Sequence, residues 1–236
     1  MSHEQVQAGA GWRWITHGWF LFTRQPGSWV AMALIMVVLY LILSWIPLLG
    51  VLAAAVIGPA LFGGLYHGAR ELDAGRELEI LHLFQAFRDS NRTGPMLMLG
   101  LVPLAAAFIS TLLSALLFAD GDVPSMMAIV AYLIVTIAVS LASGALLLFA
   151  IPRVMQGLAT PVDAVQQSAV AVRDSLGAFL VLAAVYFGLA ILATLPLGLG
   201  FLVLLPVMAG AVCAAHNEIF AERRRDTDTV EDPPAS

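Results

Sequence analysis

The sequence predicts an all-α membrane protein with six transmembrane helices and three amphipathic helices lying at the cytoplasmic interface. Three observations carry that prediction. The chain is 60% hydrophobic and 11% charged, with a mean hydropathy of +0.90, whereas soluble chains are nearer half apolar and a quarter charged. Charge-free runs of roughly 17 to 25 residues recur along it, the length that crosses a ~30 Å hydrocarbon layer as helix. The basic residues, 11 in all and every one an arginine, occupy alternate connections between those runs and are missing from the others.

In chain order the apolar runs are Trp29–Ile46, Val51–His67, Pro95–Phe118, Met126–Ile151, Ala178–Leu195 and Leu197–Ala215. Each central Leu, Ile, Val or Phe favours insertion by roughly 0.3 to 0.6 kcal/mol, so a run holding about ten of them inserts with several kcal/mol in hand. Pro47–Gly50, Ala119–Pro124 and Pro196–Gly200 form short connections without arginine. The remaining connections carry Arg13, Arg24, Arg70, Arg76, Arg88, Arg92, Arg153 and Arg173, and Arg223–Arg225 follow the last run. Because positive residues are retained on the cytoplasmic side, both termini are expected there, and the even number of crossings agrees. Trp29 and Trp45 bracket the first run where indole rings favour the headgroup layer. Asp120 and Asp122 lie in an arginine-free loop, consistent with the outer face.

Residues 1–10 contain Glu4 and no basic cluster, so they read as a disordered start and not as a signal peptide. Residues 11–222 form a single transmembrane domain. The basic anchor and the acidic, proline-ended tail at 223–236 read as disordered. The single cysteine, Cys213, lies inside an apolar run and forms no intramolecular disulfide or zinc cage. The absence of lysine removes Schiff-base chemistry and a phosphate-loop lysine.

Short stretches with helical period precede three of the runs. Trp12, Ile15, Trp19 and Phe22 make one stripe. Ile80, Leu83, Phe84 and Phe87 make a second, opposed by His82 and Asp89. Val162, Val165, Ala169 and Val172 make a third, introduced by Thr160-Pro161-Val162-Asp163, which supplies a hydroxyl cap, a first-turn proline and an acid for the helix dipole. These pieces are too short to span and are expected to lie in the headgroup layer, stripe inward. The triplet Arg-Asp-Ser occurs at 88–90 and again at 173–175. It reads as the elbow where chain leaves the interface and enters the bilayer. The elbow recurs because the unit recurs: interfacial helix, span, outer turn, span, over about 11–75, 76–158 and 159–222. Aligning Pro59 with Pro206 also aligns Gly63 with Gly210 and Glu71 with Glu218, while the middle unit matches poorly after its elbow. Small residues four apart (Ala60, Gly64, Gly68; Ser140, Gly144; Gly210, Ala214) make faces for close helix packing in lipid, and a homo-oligomer contact is compatible with them.

Gly11-Trp12-Arg13-Trp14-Ile15, Gly18-Trp19, Leu21-Phe22 and Arg24-x-Pro26 together resemble the opening of a family of uncharacterised polytopic inner-membrane proteins of Gram-negative bacteria. Ser44–Gly50, Gly63-Gly64-Leu65, Arg70-Glu71-Leu72, Leu81–Arg88, Leu195–Gly200 and Ile219-Phe220 extend the likeness over most of residues 11–220. The resemblance implies a bacterial inner-membrane location and a helical bundle, and transfers no activity. A more distant likeness is to the membrane domain accompanying some glycerophosphodiester phosphodiesterases; with no soluble catalytic domain in view, that activity is not expected here.

A phosphate loop, nucleophile elbow, paired-cysteine site or HExxH helix does not occur in the sequence, so no catalytic residue, cofactor or metal is expected. The polar candidates are His67, Arg70 and Glu71 at the end of the second span, His82 with Glu79 on the middle interfacial stretch, and His216 and Glu218 at the end of the last. The i, i+4 spacing of His67 and Glu71 would suit a metal or proton site, although interfacial side chains reaching water explain it more simply. Transport would call for costly polar groups near the bilayer centre; the sequence offers only hydroxyls there, Ser110, Thr111, Ser114, Thr136, Ser140 and Ser143, and the phenols of Tyr40, Tyr132 and Tyr186. Arg223–Arg225 read as a topology anchor attracting anionic lipid, and not as a nucleic-acid site. The expected function is therefore a non-enzymatic membrane protein that packs or interacts through its helices and cytoplasmic collar, with membrane lipids as partners. The alternative is a transporter or channel for a small or lipid-like solute. A polar cavity at mid-membrane would favour the second, and His67, His82 and His216 brought within coordination distance would revive an enzyme.

Overall fold

The computed structural model describes residues 9–117 and 125–231, with side chains as far as Phe220. The expectations for residues 1–8, for Asp120 and Asp122, for the side chains of Arg223–Arg225 and for the end of the tail lie outside the described residues. The described chain is helical throughout, in the order α1 (Gly9–Arg24), α2 (Pro26–Ser44), α3 (Leu49–Asp73), a 3-10 turn (Ile80–Phe84), α4 (Gln85–Arg88), α5 (Ser90–Leu99), α6 (Leu101–Leu117), α7 (Met126–Gln156), α8 (Pro161–Asp174), α9 (Leu176–Thr194) and α10 (Phe201–Glu231). Six segments are long and apolar enough to cross a membrane: α2, α3, α5 with α6, α7, α9, and Phe201–Phe220 of α10. They correspond one to one with the six apolar runs.

Local chemistry explains the breaks. Between α4 and α5, Asp89 is extended and its carboxylate accepts the Asn91 N–H, an N-cap that starts the next helix. In the second triplet the break falls one residue later, at Ser175 (φ −115°). Both copies of Arg-Asp-Ser are thus places where one helix stops and a spanning helix starts. The third run breaks at Gly100 because Pro103 cannot donate to the Leu99 carbonyl and its ring crowds it. That break has a use: a Cβ at Gly100 would lie 2.4 Å from the Val56 Cα, so only glycine lets α3 pass so close. The last span starts at Phe201 and not at Leu197, because Leu197 (φ 55°) and Gly198 (φ 83°) are left-handed and form a turn. The turn before α3 uses the same device, with Leu48 at φ 61°. A left-handed non-glycine residue costs about 1 to 2 kcal/mol, and both turns place it directly after a proline.

The chain forms two units. One comprises residues up to Val37, Gly64–Leu83 and Val170 onward; the other comprises Val38–Gly63 and Phe84–Ala169. In the first, α1 packs against α9 and α10 through glycine. A Cβ on Gly11 would lie 2.5 Å from the Ala178 carbonyl oxygen, one on Gly18 2.1 Å from that of Val207, and one on Gly210 2.7 Å from the Gly18 Cα. The buried face of α1 is Gly11, Trp14, Ile15, Gly18, Leu21 and Phe22, while Trp12 and Trp19 are 58% and 53% exposed. The stripe read from aromatic spacing is therefore rotated: backbone proximity at glycine selects the buried face. The expected stripe on α8 is also rotated, for Ala164, Ser168, Ala171 and Val172 are buried and Val162 is exposed. The second stripe is not one α-helix but a 3-10 turn followed by the four-residue α4.

In the second unit, a hydroxyl from α8 bonds to the backbone of α7. Ser168 Oγ donates to the Ala145 carbonyl (2.7 Å) and accepts the Phe149 N–H (3.1 Å). These bonds lie just before Pro152, whose missing N–H weakens the helix ladder. Farther on, α7 ends at left-handed Gly157, whose N–H reaches Val154 while the Leu158 N–H reaches Arg153, a Schellman closure. Arg92 Nη1 donates to two of the last carbonyls, Val154 (3.1 Å) and Met155, supplying a cation where the helix dipole is negative.

Candidate functional site

The polar candidates occupy the end of α3, the connection and 3-10 turn that follow it, and α10 near His216 and Glu218, all within the first unit. At the end of α3, a turn through Ala74 and left-handed Gly75 brings the Arg76 N–H back to the Glu71 carbonyl (2.9 Å). The side chains then meet as a fork: Arg76 Nη2 donates to Glu71 Oε1 at 2.8 Å, and Nε donates to Oε2. The carboxylate raises the already high pKa of Arg76. His67 Nε2 lies 4.0 Å from Oε1 of the same carboxylate, as the i, i+4 spacing predicts. The imidazoles of His67 and His82 meet edge to face with centroids 5.1 Å apart. His82 Nδ1 accepts the Glu79 backbone N–H at 3.2 Å, so Glu79 reaches this cluster through its main chain. Arg70 is exposed.

His216 belongs to a different surface. It is 4% exposed, with its ring 6.1 Å from buried Tyr66 and 4.8 Å from Phe220. Tyr66 and His67 are neighbours on α3 and point to different sides, which separates His216 from the His67–His82 pair. Among the described residues no three His, Cys, Asp or Glu side chains converge to hold a metal ion. Glu218 ties α10 to α1: its Oε1 accepts from Arg13 Nη2 (2.8 Å) and its Oε2 from the Trp14 indole N–H (2.7 Å). Charge-assisted bonds of this kind are about twice as strong as neutral ones.

Several ties were not legible as candidates. His17 Nε2 meets Asp73 Oδ1 at 3.0 Å, Arg24 Nη1 caps the Leu72 carbonyl at 2.6 Å, Gln25 Oε1 accepts the Leu78 N–H at 2.9 Å, and the Trp29 indole donates to Leu21 O at 3.2 Å. Each joins residues distant in sequence. The only local signal is that a polar residue stands beside an otherwise apolar stretch, which also describes an ordinary solvated side chain.

The mid-span hydroxyls do not gather. Thr111 and Ser140 are exposed, and Ser110, Ser114 and Ser143 are half-buried. Ser143 lies in a groove of about 430 Å³ between α6 and α7 whose other walls are Leu101, Val102, Ala105, Ala106 and similar residues. A second groove, of about 530 Å³, runs between α1 and the α9–α10 pair, lined by Trp12, Trp19, Leu189, Leu192, Val203 and their neighbours. Both are hydrocarbon-lined.

Residues 46–152, a little under half of the chain, match a family described as predicted integral membrane protein (DUF2189). The motifs Ile46–Gly50, Gly63-Gly64-Leu65, Arg70-Glu71-Leu72 and Leu81–Arg88 fall inside that match, and the tryptophan-rich opening at 11–26 falls outside it. No curated protein and no solved structure matches the chain. The match and the six apolar helices together make this a multi-pass integral membrane protein.

Proposed function

We propose that the protein is a non-enzymatic component of the bacterial inner membrane, with both termini cytoplasmic, that acts through helix packing and a cytoplasmic collar contacting lipid headgroups and other proteins. One observation carries this reading: the candidate site residues are committed to one another and to helix ends. Glu218 is occupied by Arg13 and Trp14, and Glu71 by Arg76. Arg24 and Arg92 are occupied by the terminal carbonyls of α3 and α7. A transporter would instead present polar groups at mid-membrane, whereas the two grooves described above are lined mainly by apolar side chains.

The arrangement is in our reading a repeat of interfacial helix, span, outer turn and span. Two correspondences support it. Leu48 and Leu197 take the same left-handed conformation after Pro47 and Pro196. Arg24 and Arg92, each just ahead of a first span, cap the second span of the same unit. Trp12 and Trp19, exposed on α1, suit the headgroup layer, and exposed Arg70 is placed to attract anionic lipid. The likeness of residues 11–26 to the Gram-negative inner-membrane family belongs to the same proposal.

Purification with native lipid retained, followed by mass spectrometry of what co-purifies, tests the function; anionic lipid or a protein at fixed stoichiometry is the expected result. Solute flux in proteoliposomes that the purified protein alone sustains would replace this reading with transport. Orientation is tested by a cysteine placed within 119–124, in a chain lacking Cys213, which should react with an impermeant reagent from outside intact cells. Labelling of a cysteine at 76–79 instead would invert the topology.

A further inference from the structure

The segment from Leu78 to Phe84 is seated on α3 by glycine. A Cβ at Gly64 would lie 2.0 Å from the Leu83 carbonyl oxygen, and one at Gly68 would lie 2.5 Å from Leu78 Cδ1. Leu83 is fully buried and Leu78 nearly so, and Gln25 holds the Leu78 N–H. The turn itself is closed by a reciprocal pair: the His82 N–H donates to the Glu79 carbonyl (3.0 Å), and the Glu79 N–H donates to His82 Nδ1 (3.2 Å). The second bond is the return half of a capping box, with imidazole where Glu or Gln usually stands. A ring nitrogen that accepts a hydrogen bond carries no proton.

We propose that residues 78–84 form a proton-operated latch, in which uptake of protons by His67 and His82 releases the 3-10 turn from its glycine seat on α3. The two rings stand edge to face 5.1 Å apart. Around them are Arg70 and Glu71 of α3, Arg76 and Glu79 of the following connection, and Asp73, which His17 of α1 engages. Arg24 of α1 lies on the Leu72 carbonyl, and α2 contributes the uncharged Met32 near Gly68. A proton on His82 Nδ1 eliminates the Glu79 cap, and protons on both rings set two cations edge to face, with Arg70 and Arg76 adding like charge. The closed form therefore binds fewer protons than the open form, so acid favours opening. The latch is therefore closed at neutral pH and opens on acidification.

The test uses the full chain in lipid nanodiscs, with Cys213→Ala and a nitroxide on Leu81→Cys, a position 56% exposed. The spectrum should be immobilised at about pH 7.5 and gain a mobile component by about pH 5.5, the window of histidine titration. His82→Gln preserves an acceptor for the Glu79 N–H without a titrating group, and should stay immobilised at both pH values. His82→Ala removes the acceptor and should be mobile at both. The proposal is overturned by a parent spectrum that does not change with pH. A mobile component that grows equally in His82→Gln, or immobilised His82→Ala at neutral pH, overturns it too.

Discussion

The α10 span and the α6–α7 hairpin are both long apolar helices, yet they are packed in opposite ways. In α10, 67% of the spanning window is buried; in α7 the figure is 17%, and α6 has no buried residue at all. Hydropathy runs the other way, for the α10 window is among the less hydropathic of the six and the α7 window among the most. In lipid the hydrocarbon tails are as apolar as leucine, so hydrophobicity does not drive helices together; close backbone approach and polar ties do. α10 has both, in Gly210 against Gly18 and in Glu218 against Arg13 and Trp14. On α7, Gly144 meets nothing within 4 Å.

That contrast can be broken most forcibly at Gly18. Gly18→Leu, with a Cβ that would lie 2.1 Å from the Val207 carbonyl oxygen, should cost about 3 kcal/mol or more, lowering the unfolding temperature in detergent or abolishing folded protein. Gly144→Leu, the same change on the open face, should leave stability within about 0.5 kcal/mol. Equal losses would mean that the α7 face is occupied as tightly as α10. Next in size is Ser168→Ala, which removes the hydroxyl's bonds to the Ala145 carbonyl and the Phe149 N–H and should cost about 1 to 2 kcal/mol. Hydrogen exchange at Phe149 should rise with it, whereas Ser140→Ala should change neither. Glu218→Gln keeps the shape but weakens two charge-assisted bonds, a loss of about 1 kcal/mol, read as a lower unfolding temperature and a shifted Trp14 emission. Smallest is Gly144→Ala, which should raise stability by about 0.5 to 1 kcal/mol through helix propensity alone.

Much of the fold was legible because its signals are local. Span count follows from the length of charge-free runs, and the first Arg-Asp-Ser break follows from Asp89, which caps the helix two positions on. The interfacial stripes were less legible: Trp12 and Trp19 keep helical spacing but are exposed, because Gly11 and Gly18 alone let α1 reach the backbones of α9 and α10. Of the site, the His67–Glu71 neighbourhood follows from i, i+4 geometry. The meeting of His67 with His82, and the separation of His216 from both, depends on how the 78–84 segment folds back over Gly64.

By itself, then, the sequence determined how many spans there are, which stretches of chain form them, and that they are built for lipid, since those properties reside in runs of neighbouring residues. Only the tertiary structure decided which face of each helix is inside and which charges are joined. In a hydrocarbon solvent every apolar face is equally content, and the choice falls to a few glycines and polar side chains whose partners lie far away along the chain.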